Sequence, residues 1–174
     1  MTLTKTLGYA IAVTALVAFT GSAAWAQTSD SATASSSAFV VKPITIEKLN
    51  DLLFGSFEAG TGGTGTNPED GLVAPTTTSG VTFVPGTGNI QTRARFKVTG
   101  KNGLKFDITG DTEVTLNGPG GSTMTATLLK LTSFTFPGSG ETFVFVGGIL
   151  TVVGGQTPGF YESDVPFNVI VTYQ

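Results

Sequence analysis

Strict alternation of apolar and polar side chains is the feature that most constrains how this chain can fold. In residues 93–98, three apolar side chains alternate with three cations, and residues 104–109 and 165–174 follow the same period of two. Because successive side chains of a β-strand point to opposite faces, this pattern indicates strands with one buried face. An amphipathic helix would need a period near 3.6 residues, which these runs do not have.

Turn-forming residues separate the apolar runs at short intervals. The sequence TGKNG, residues 99–103, joins two alternating runs, and its length and Asn-Gly pair predict a β-hairpin between them. The run FVFVGGILTVV, residues 143–153, is apolar on both faces, and its central Gly147-Gly148 pair predicts a bend or bulge. Many short strands with almost no helical periodicity predict an all-β fold, an antiparallel β-sandwich.

The region before residue 93 combines one strand-like run with a glycine-rich stretch. The run AFVVKPITI, residues 38–46, favours a strand, but Pro43 restricts it to an edge strand or a strand in two parts. Residues 58–80 contain GTGGTG and NPEDG, and these dense turn signals predict a long loop.

The N-terminus has the three parts of a secretory signal peptide. Lys5 supplies the positive charge, residues 7–19 are apolar, and Ala24-Trp25-Ala26 is an A-x-A cleavage site. The apolar stretch is shorter than the roughly 20 residues that a membrane-spanning helix needs, and no later segment qualifies. We therefore expect export, with no membrane span after the signal has been removed.

Three segments follow from this interpretation. Residues 1–26 are the expected signal peptide, and residues 27–37, rich in Ser, Thr and Ala, are an expected flexible leader with little apolar surface to bury. Residues 38–174 are long enough for one β-sandwich domain with its own core.

Missing residue types exclude several kinds of chemistry. The chain has no His and no Cys, so it has no Ser-His-Asp triad, thiol nucleophile, disulfide or imidazole metal ligand. Its nine Lys and Arg against twelve Asp and Glu disfavour binding to nucleic acid. We therefore expect a protein that is not an enzyme and holds no cofactor or metal.

The carboxylates do not overturn that expectation. Asp107 and Glu113 fall on the outward phase of separate strands, and Asp111 lies in a turn, so a solvated face is favoured over an acid–base pair. The sequence NPED, residues 67–70, lacks the distal Glu of an EF-hand loop and is interpreted as a polar turn.

A cationic face is predicted on the strand over residues 93–98. Arg93, Arg95 and Lys97 share its outward phase, and Lys101 and Lys105 follow closely. Such a face either keeps an outer surface soluble or contacts an acidic polysaccharide or another subunit. Since no aromatic residue of this strand shares the outward phase of the cations, stacking on nucleic-acid bases is not expected.

The C-terminal strand carries a row of large side chains on one phase, namely Val165, Phe167, Val169, Val171 and Tyr173. A strand of this kind must be covered, or it will promote aggregation. It is either the last strand of a complete sandwich or the border of a groove that a strand from another chain fills.

Several motifs resemble a secreted bacterial family, the domain of unknown function 4402. The first is PITIEKLNDLLFGSFEAG, residues 43–60, which is similar to the opening of that family. Further similar stretches are ARFKVTG at 94–100, VTLNGPGGSTMT at 114–125, QTPGFY at 156–161 and FNVIVTY at 167–173.

The C-terminal sequence also resembles subunits of chaperone–usher pili, including the spore-coat-U-like archaic pilins. That resemblance implies an immunoglobulin-like sandwich that lacks one strand. It further implies a periplasmic chaperone that lends a strand, an outer-membrane usher, and a neighbouring subunit whose N-terminal extension replaces the chaperone. The implied donor anchors are Phe39, Val41, Ile44 and Ile46. The implied chaperone-bound residues are Val165, Phe167, Val169, Val171 and Tyr173.

These observations lead to two functional expectations. The first is a secreted structural subunit of a surface fibre, pilus or extracellular matrix, exported through the periplasm and assembled with identical or related subunits by strand donation. The second is a stand-alone sandwich that binds a cell-surface or extracellular polysaccharide.

Overall fold

The computed structural model describes residues 30–69, 76–78, 80–84 and 90–174. The expected signal peptide and the first residues of the expected leader lie outside these ranges. The chain forms two units, residues 1–38 and residues 39–174. Within the first unit, residues 30–38 are exposed and belong to no helix or strand.

The described part of the second unit is built from twelve strands and one short 3-10 helix, Pro119–Gly121. The strands are β1 (Thr45–Asn50), β2 (Phe57–Glu58), β3 (Gly62–Asn67), β4 (Thr76–Thr77), β5 (Thr82–Phe83), β6 (Ala94–Thr99), β7 (Lys105–Gly110), β8 (Glu113–Asn117), β9 (Thr123–Lys130), β10 (Ser133–Thr135), β11 (Glu141–Val153) and β12 (Val169–Tyr173). This content confirms the predicted all-β class.

All strand pairs are antiparallel, and they form one large and two small sheets. In the large sheet, β11 pairs with β6, β3 and β9, while β1, β4 and β8 extend the sheet from β6, β3 and β9. The second sheet has the order β10-β7-β12, and β2 pairs with β5. The predicted antiparallel β-sandwich is therefore confirmed.

The main core lies between β6 and β11 of the large sheet and β7 of the second sheet. Phe96 and Val98 face inward from β6, and Phe106 and Ile108 face inward from β7. The ring of Phe106 lies 4.5 Å from that of Phe136, between centroids. A second core cluster joins β9 and the end of β11 to Val81.

The predicted hairpin between residues 93–98 and 104–109 is wrong. β6 pairs with β1 and β11, whereas β7 pairs with β10 and β12, so residues 100–104 cross from one sheet to the other. The physical reason is that both strands carry an apolar row. When the two strands belong to facing sheets, each row buries the other, which a shared sheet would not allow.

Two glycine-rich segments also differ from expectation. The predicted loop 58–80 contains strand β3, whose residues Gly62–Asn67 pair with the second half of β11. β11 itself is one strand of 13 residues without the predicted bulge. Gly147 and Gly148 lie instead where the partner of β11 on one edge changes from β6 to β3. Glycine is needed at position 147 because a Cβ there would overlap the backbone of Asn67.

Candidate strand-acceptor site

One edge of β12 has no partner strand in the described part of the chain. On its other edge, β12 pairs with β7 from Val169 opposite Gly110 to Tyr173 opposite Phe106. Gln174 N donates to Lys105 O at 3.2 Å, which shows that the even-numbered residues bond to β7. Because bonding direction alternates along an antiparallel strand, the backbone groups of the odd-numbered residues point to the open edge.

The same odd-numbered residues turn their side chains towards the main core. Phe167, Val169, Val171 and Tyr173 pack against it but are only partly buried. The Phe167 ring meets that of Phe96 edge to face, with centroids 6.5 Å apart. We call this open edge, with the side chains of Phe167 to Tyr173, the acceptor edge. Val165, predicted in the same row, is 73% exposed and does not belong to it.

Strand β1 is the edge strand of the large sheet, and it lies against β12. Gly100 N donates to Gly140 O, so the residues of β6 that bond to β11 are the even-numbered ones. The odd-numbered residues of β6 therefore bond to β1, and the backbone groups of Ile46 and Lys48 point away from the sheet. One side of the main core is thus bordered by two open edges.

Tyr173 fixes the chain that enters β1 to the end of β12. Its hydroxyl accepts a hydrogen bond from Lys101 N at 2.7 Å and donates one to Lys42 O at 2.8 Å. Its ring meets that of Phe136 edge to face. A Cβ at Gly100 would overlap the Phe136 ring and the Tyr173 hydroxyl, which gives a reason for glycine at the end of the ARFKVTG motif.

The four predicted donor anchors separate into two pairs. Ile44 and Ile46 pack against the core of their own chain. Phe39 is 77% exposed, and Val41 is also exposed. Phe39 and Val41 are therefore the two anchors with exposed side chains, although Lys101 Nζ lies 5.9 Å from the centre of the Phe39 ring. Donation itself stays a prediction.

The predicted cationic face lies on the outer side of β6, and the structure brings two phenylalanines to it. The Arg93 guanidinium lies 3.7 Å from the centre of the Phe145 ring, and that of Arg95 lies 3.9 Å from the centre of the Phe143 ring. We call these four residues the Arg–Phe ladder. Sequence reasoning missed it because the aromatic residues come from the neighbouring strand β11, whose outward phase already contained them.

The third predicted cation of this face is neutralised locally. Lys97 Nζ lies 2.8 Å from Glu141 Oε1 on β11. Their hydrogen bond, together with the attraction of opposite charges, raises the pKa of Lys97 and lowers the pKa of Glu141. Because the Lys97 side chain is 34% exposed and that of Glu141 is 52% exposed, water and salt screen this pair.

The pH dependence of stability tests this ion pair. A lowered pKa for Glu141 means that its contribution is present above the unfolded pKa and is lost as pH falls through the folded pKa. We expect Glu141→Gln to show a smaller fall in Tm between neutral pH and about pH 3 than the parent chain. Thermal melts across that range measure it. The control is Glu113→Gln on β8, and an equal change in both variants would contradict the prediction.

A cleft of about 350 Å³ lies between β8 and residues 163–167. Its carboxylates include Asp111, Glu113 and Asp164, but two of them are engaged in structural hydrogen bonds. Asp111 Oδ2 accepts from the backbone N of Asn168, and Asp164 Oδ2 accepts from the side chain of Asn117. The arrangement holds the segment before β12 in place and gives no pair of free carboxylates.

Asp107 and Asn67, two other residues considered as candidates for catalysis or calcium binding, also form structural hydrogen bonds. Asp107 on β7 accepts a hydrogen bond from Gln174. Asn67 is buried, and its amide donates to Leu53 O at 3.1 Å. The described residues contain no group of three or more side chains suited to hold a metal ion. No helix within the described ranges has the length and apolar character to span a bilayer.

The fold and the acceptor edge of β12 together define a class of protein. It is an antiparallel β-sandwich whose core is only partly covered beside an edge strand that has no partner in the described part of the chain. The family model described as Domain of unknown function (DUF4402) matches residues 44–173, so the chain belongs to that family. This match confirms the first resemblance drawn from the sequence, and the pilin resemblance stays a prediction. No curated protein and no solved structure matches the chain.

Proposed function

We propose that this protein is a structural subunit that assembles head to tail by strand donation. The single observation that supports this most is the acceptor edge of β12. An edge strand with free backbone groups is a template for another strand, and natural proteins normally cover or charge such edges. Here the inward side chains are large and apolar and only partly covered, so an added strand would gain hydrogen bonds and buried apolar area together.

The proposed donor is the segment before β1, with Phe39 and Val41 as its anchors. In an extended chain these two side chains point to one face, and Val40 points to the other. Residues 30–41 span about 40 Å when extended, which exceeds the about 17 Å of the five-residue strand β12. The segment is therefore long enough to line the acceptor edge of a neighbouring copy.

Donation between copies gives a polymer. Each copy uses one surface to donate and another to accept, and such a contact repeats without closing unless the rotation forms a ring. Together with the predicted signal peptide, this suggests export through the periplasm and a place in a fibre or matrix at the cell surface. A periplasmic chaperone would cover the acceptor edge before assembly, and an outer-membrane usher would order the addition of subunits. This role requires no enzymatic activity.

Substitutions in the donor test the proposal. We expect the chain that begins at Gln27 to form oligomers at high concentration after refolding, and Phe39→Asp or Val41→Asp to leave it monomeric, since a charge on an anchor cannot be buried unpaired. Val40→Asp is the matched control, because Val40 is 91% exposed and points to the opposite face of the extended segment. Sedimentation velocity reports the distribution of sizes.

The effect of each substituted position on assembly distinguishes strand donation from other contacts between copies. Assembly that is lost at residues 39 and 41 but kept at residue 40 supports strand donation. A parent chain that stays monomeric under all refolding conditions would contradict self-assembly. Equal behaviour of the three variants would show that a non-specific apolar contact, and not an inserted strand, joins the copies.

A further inference from the structure

Neither arginine of the Arg–Phe ladder forms an ion pair with another described residue. The described residues contain two ion pairs, Lys48 with Asp51 and Lys97 with Glu141, and neither involves a ladder residue. Arg93 uses one hydrogen bond, from Nη1 to Glu69 O at 2.9 Å. Arg95 forms no ion pair with a carboxylate in the described part of the chain. Both arginines are partly exposed and lie beside each other on this surface.

Stacking holds these groups in defined positions. A guanidinium that lies flat on a phenylalanine ring keeps its N–H groups at its edges, where they point away from the ring. The Arg95 guanidinium carbon lies 3.9 Å from the centre of the Phe143 ring although its buried Nε has no acceptor among the described residues, and an unpaired buried donor costs free energy. The Arg95 guanidinium is therefore held by its contact with the Phe143 ring, although one of its N–H groups has no acceptor among the described residues.

Spacing along β6 indicates the kind of ligand. Arg93 immediately precedes β6 and Arg95 lies on it, and two residues of extended chain span about 7 Å. Planar guanidinium groups bind carboxylates through two parallel hydrogen bonds. An extended chain with repeated carboxylates can engage both arginines in sequence. The rim of Phe143, whose side chain is 40% exposed, adds an apolar surface suited to the C–H groups of a sugar ring.

We propose that the Arg–Phe ladder is a binding site for an acidic polysaccharide whose sugars carry carboxylates. Nucleic acid is disfavoured, since bases need free aromatic faces and the arginines cover one face of Phe143 and of Phe145. An acidic peptide could also bind the arginines. It lacks, however, the face of ring C–H groups with which a sugar packs on the exposed rim of Phe143. This site lies on the outer face of β6 and does not depend on strand donation.

Binding of oligogalacturonate to single-site variants tests the site. All measurements use the Phe39→Asp background, which removes the proposed donor and so separates this test from assembly. We expect Arg95→Gln and Arg93→Gln each to weaken binding about tenfold or more at low ionic strength, the amount typical of a lost charge-assisted contact. Lys105→Gln on β7 is the matched control with the same change of charge, and it should change Kd less than twofold. Titration calorimetry gives Kd.

The conservative variant and the choice of polymer make the test specific. Arg95→Lys keeps the charge but loses the planar group, so we expect binding several-fold weaker than in the parent chain. Full binding by that variant would overturn the role of the guanidinium. Dextran, which is neutral, should not bind. Poly-glutamate, dextran sulfate or single-stranded DNA binding as tightly as oligogalacturonate would overturn the assigned ligand class.

Stability measurements keep the result interpretable. Each variant is melted without ligand, and the proposal predicts folded proteins whose binding, not whose fold, has changed. If Arg95→Gln does not fold, the test uses Arg93→Gln, because that change removes one hydrogen bond to the backbone carbonyl of Glu69 and leaves no buried Nε. Unchanged affinity in folded arginine variants would show that the ladder only stabilises the strand pair β6–β11.

Discussion

Replacement of Phe106 by alanine is expected to lower the free energy of unfolding by about 3–5 kcal/mol. Phe106 is completely buried, and its ring contacts those of Phe134 and Phe136. It lies on β7, the central strand of the second sheet, and faces the β6 row that includes Val98. Because these neighbours are held by two sheets, the cavity cannot close, and the loss includes both transfer and cavity costs.

For a domain of this size, that loss corresponds to a Tm lower by about 10–20 °C. Chemical denaturation and thermal melts measure the two quantities. The matched control is Phe160→Ala, since Phe160 is 67% exposed and the same atoms are removed at the surface. The control should change stability by about 0.5 kcal/mol or less. A loss at Phe106 no larger than that of the control would contradict the packing between the two sheets.

A chain that carries a second copy of residues 30–42 after Gln174, joined by a flexible linker, is expected to fill its own acceptor edge. We expect this self-complemented chain to be monomeric and more stable than the parent by about 2 kcal/mol, the apolar gain from Phe39 and Val41 less the cost of ordering the segment. The amides of Val169 and Val171 should exchange with solvent at least about 100-fold more slowly, since each gains a partner.

Hydrogen exchange along β12 gives a pattern that general stabilisation would not produce. The amides of Ile170 and Thr172 already bond to β7, so their protection should change much less than that of Val169 and Val171. The control chain carries the same appended segment with Phe39→Asp and Val41→Asp in that copy only. If the control and the self-complemented chain exchange alike, the edge does not accept this segment, and strand donation by it is contradicted.

The sequence alone determined the alternating strands β6, β7 and β12 and the faces that they bury. Alternation in residues 93–98 correctly placed Phe96 and Val98 inside and Arg95 outside, because side-chain phase is a local property of a strand. The same phase placed Phe167, Val169, Val171 and Tyr173 in one row towards the core. Val165 lies outside that row, because it is 73% exposed and borders the cleft beside β8.

The partners of those strands were decided only by tertiary structure. Nothing local in TGKNG separates a hairpin from a crossing between sheets, since both reverse the chain, and the choice depends on which apolar rows meet. The glycine-rich β3 has no apolar pattern to read, and it is a strand because β11 supplies the hydrogen bonds at its edge.

The acceptor edge and the Arg–Phe ladder both depend on strand pairing, which the sequence did not determine. The open edge of β12 exists because β7 bonds only to its even-numbered residues and no described strand takes the odd-numbered ones. The Arg–Phe ladder exists because pairing of β6 with β11 aligns residues that lie about fifty positions apart in the chain. Which face of a strand a side chain occupies depends on its neighbours along the chain, so the sequence determined the buried faces. Which strands pair depends on the free energy of the whole core, so only the tertiary structure determined the two sites.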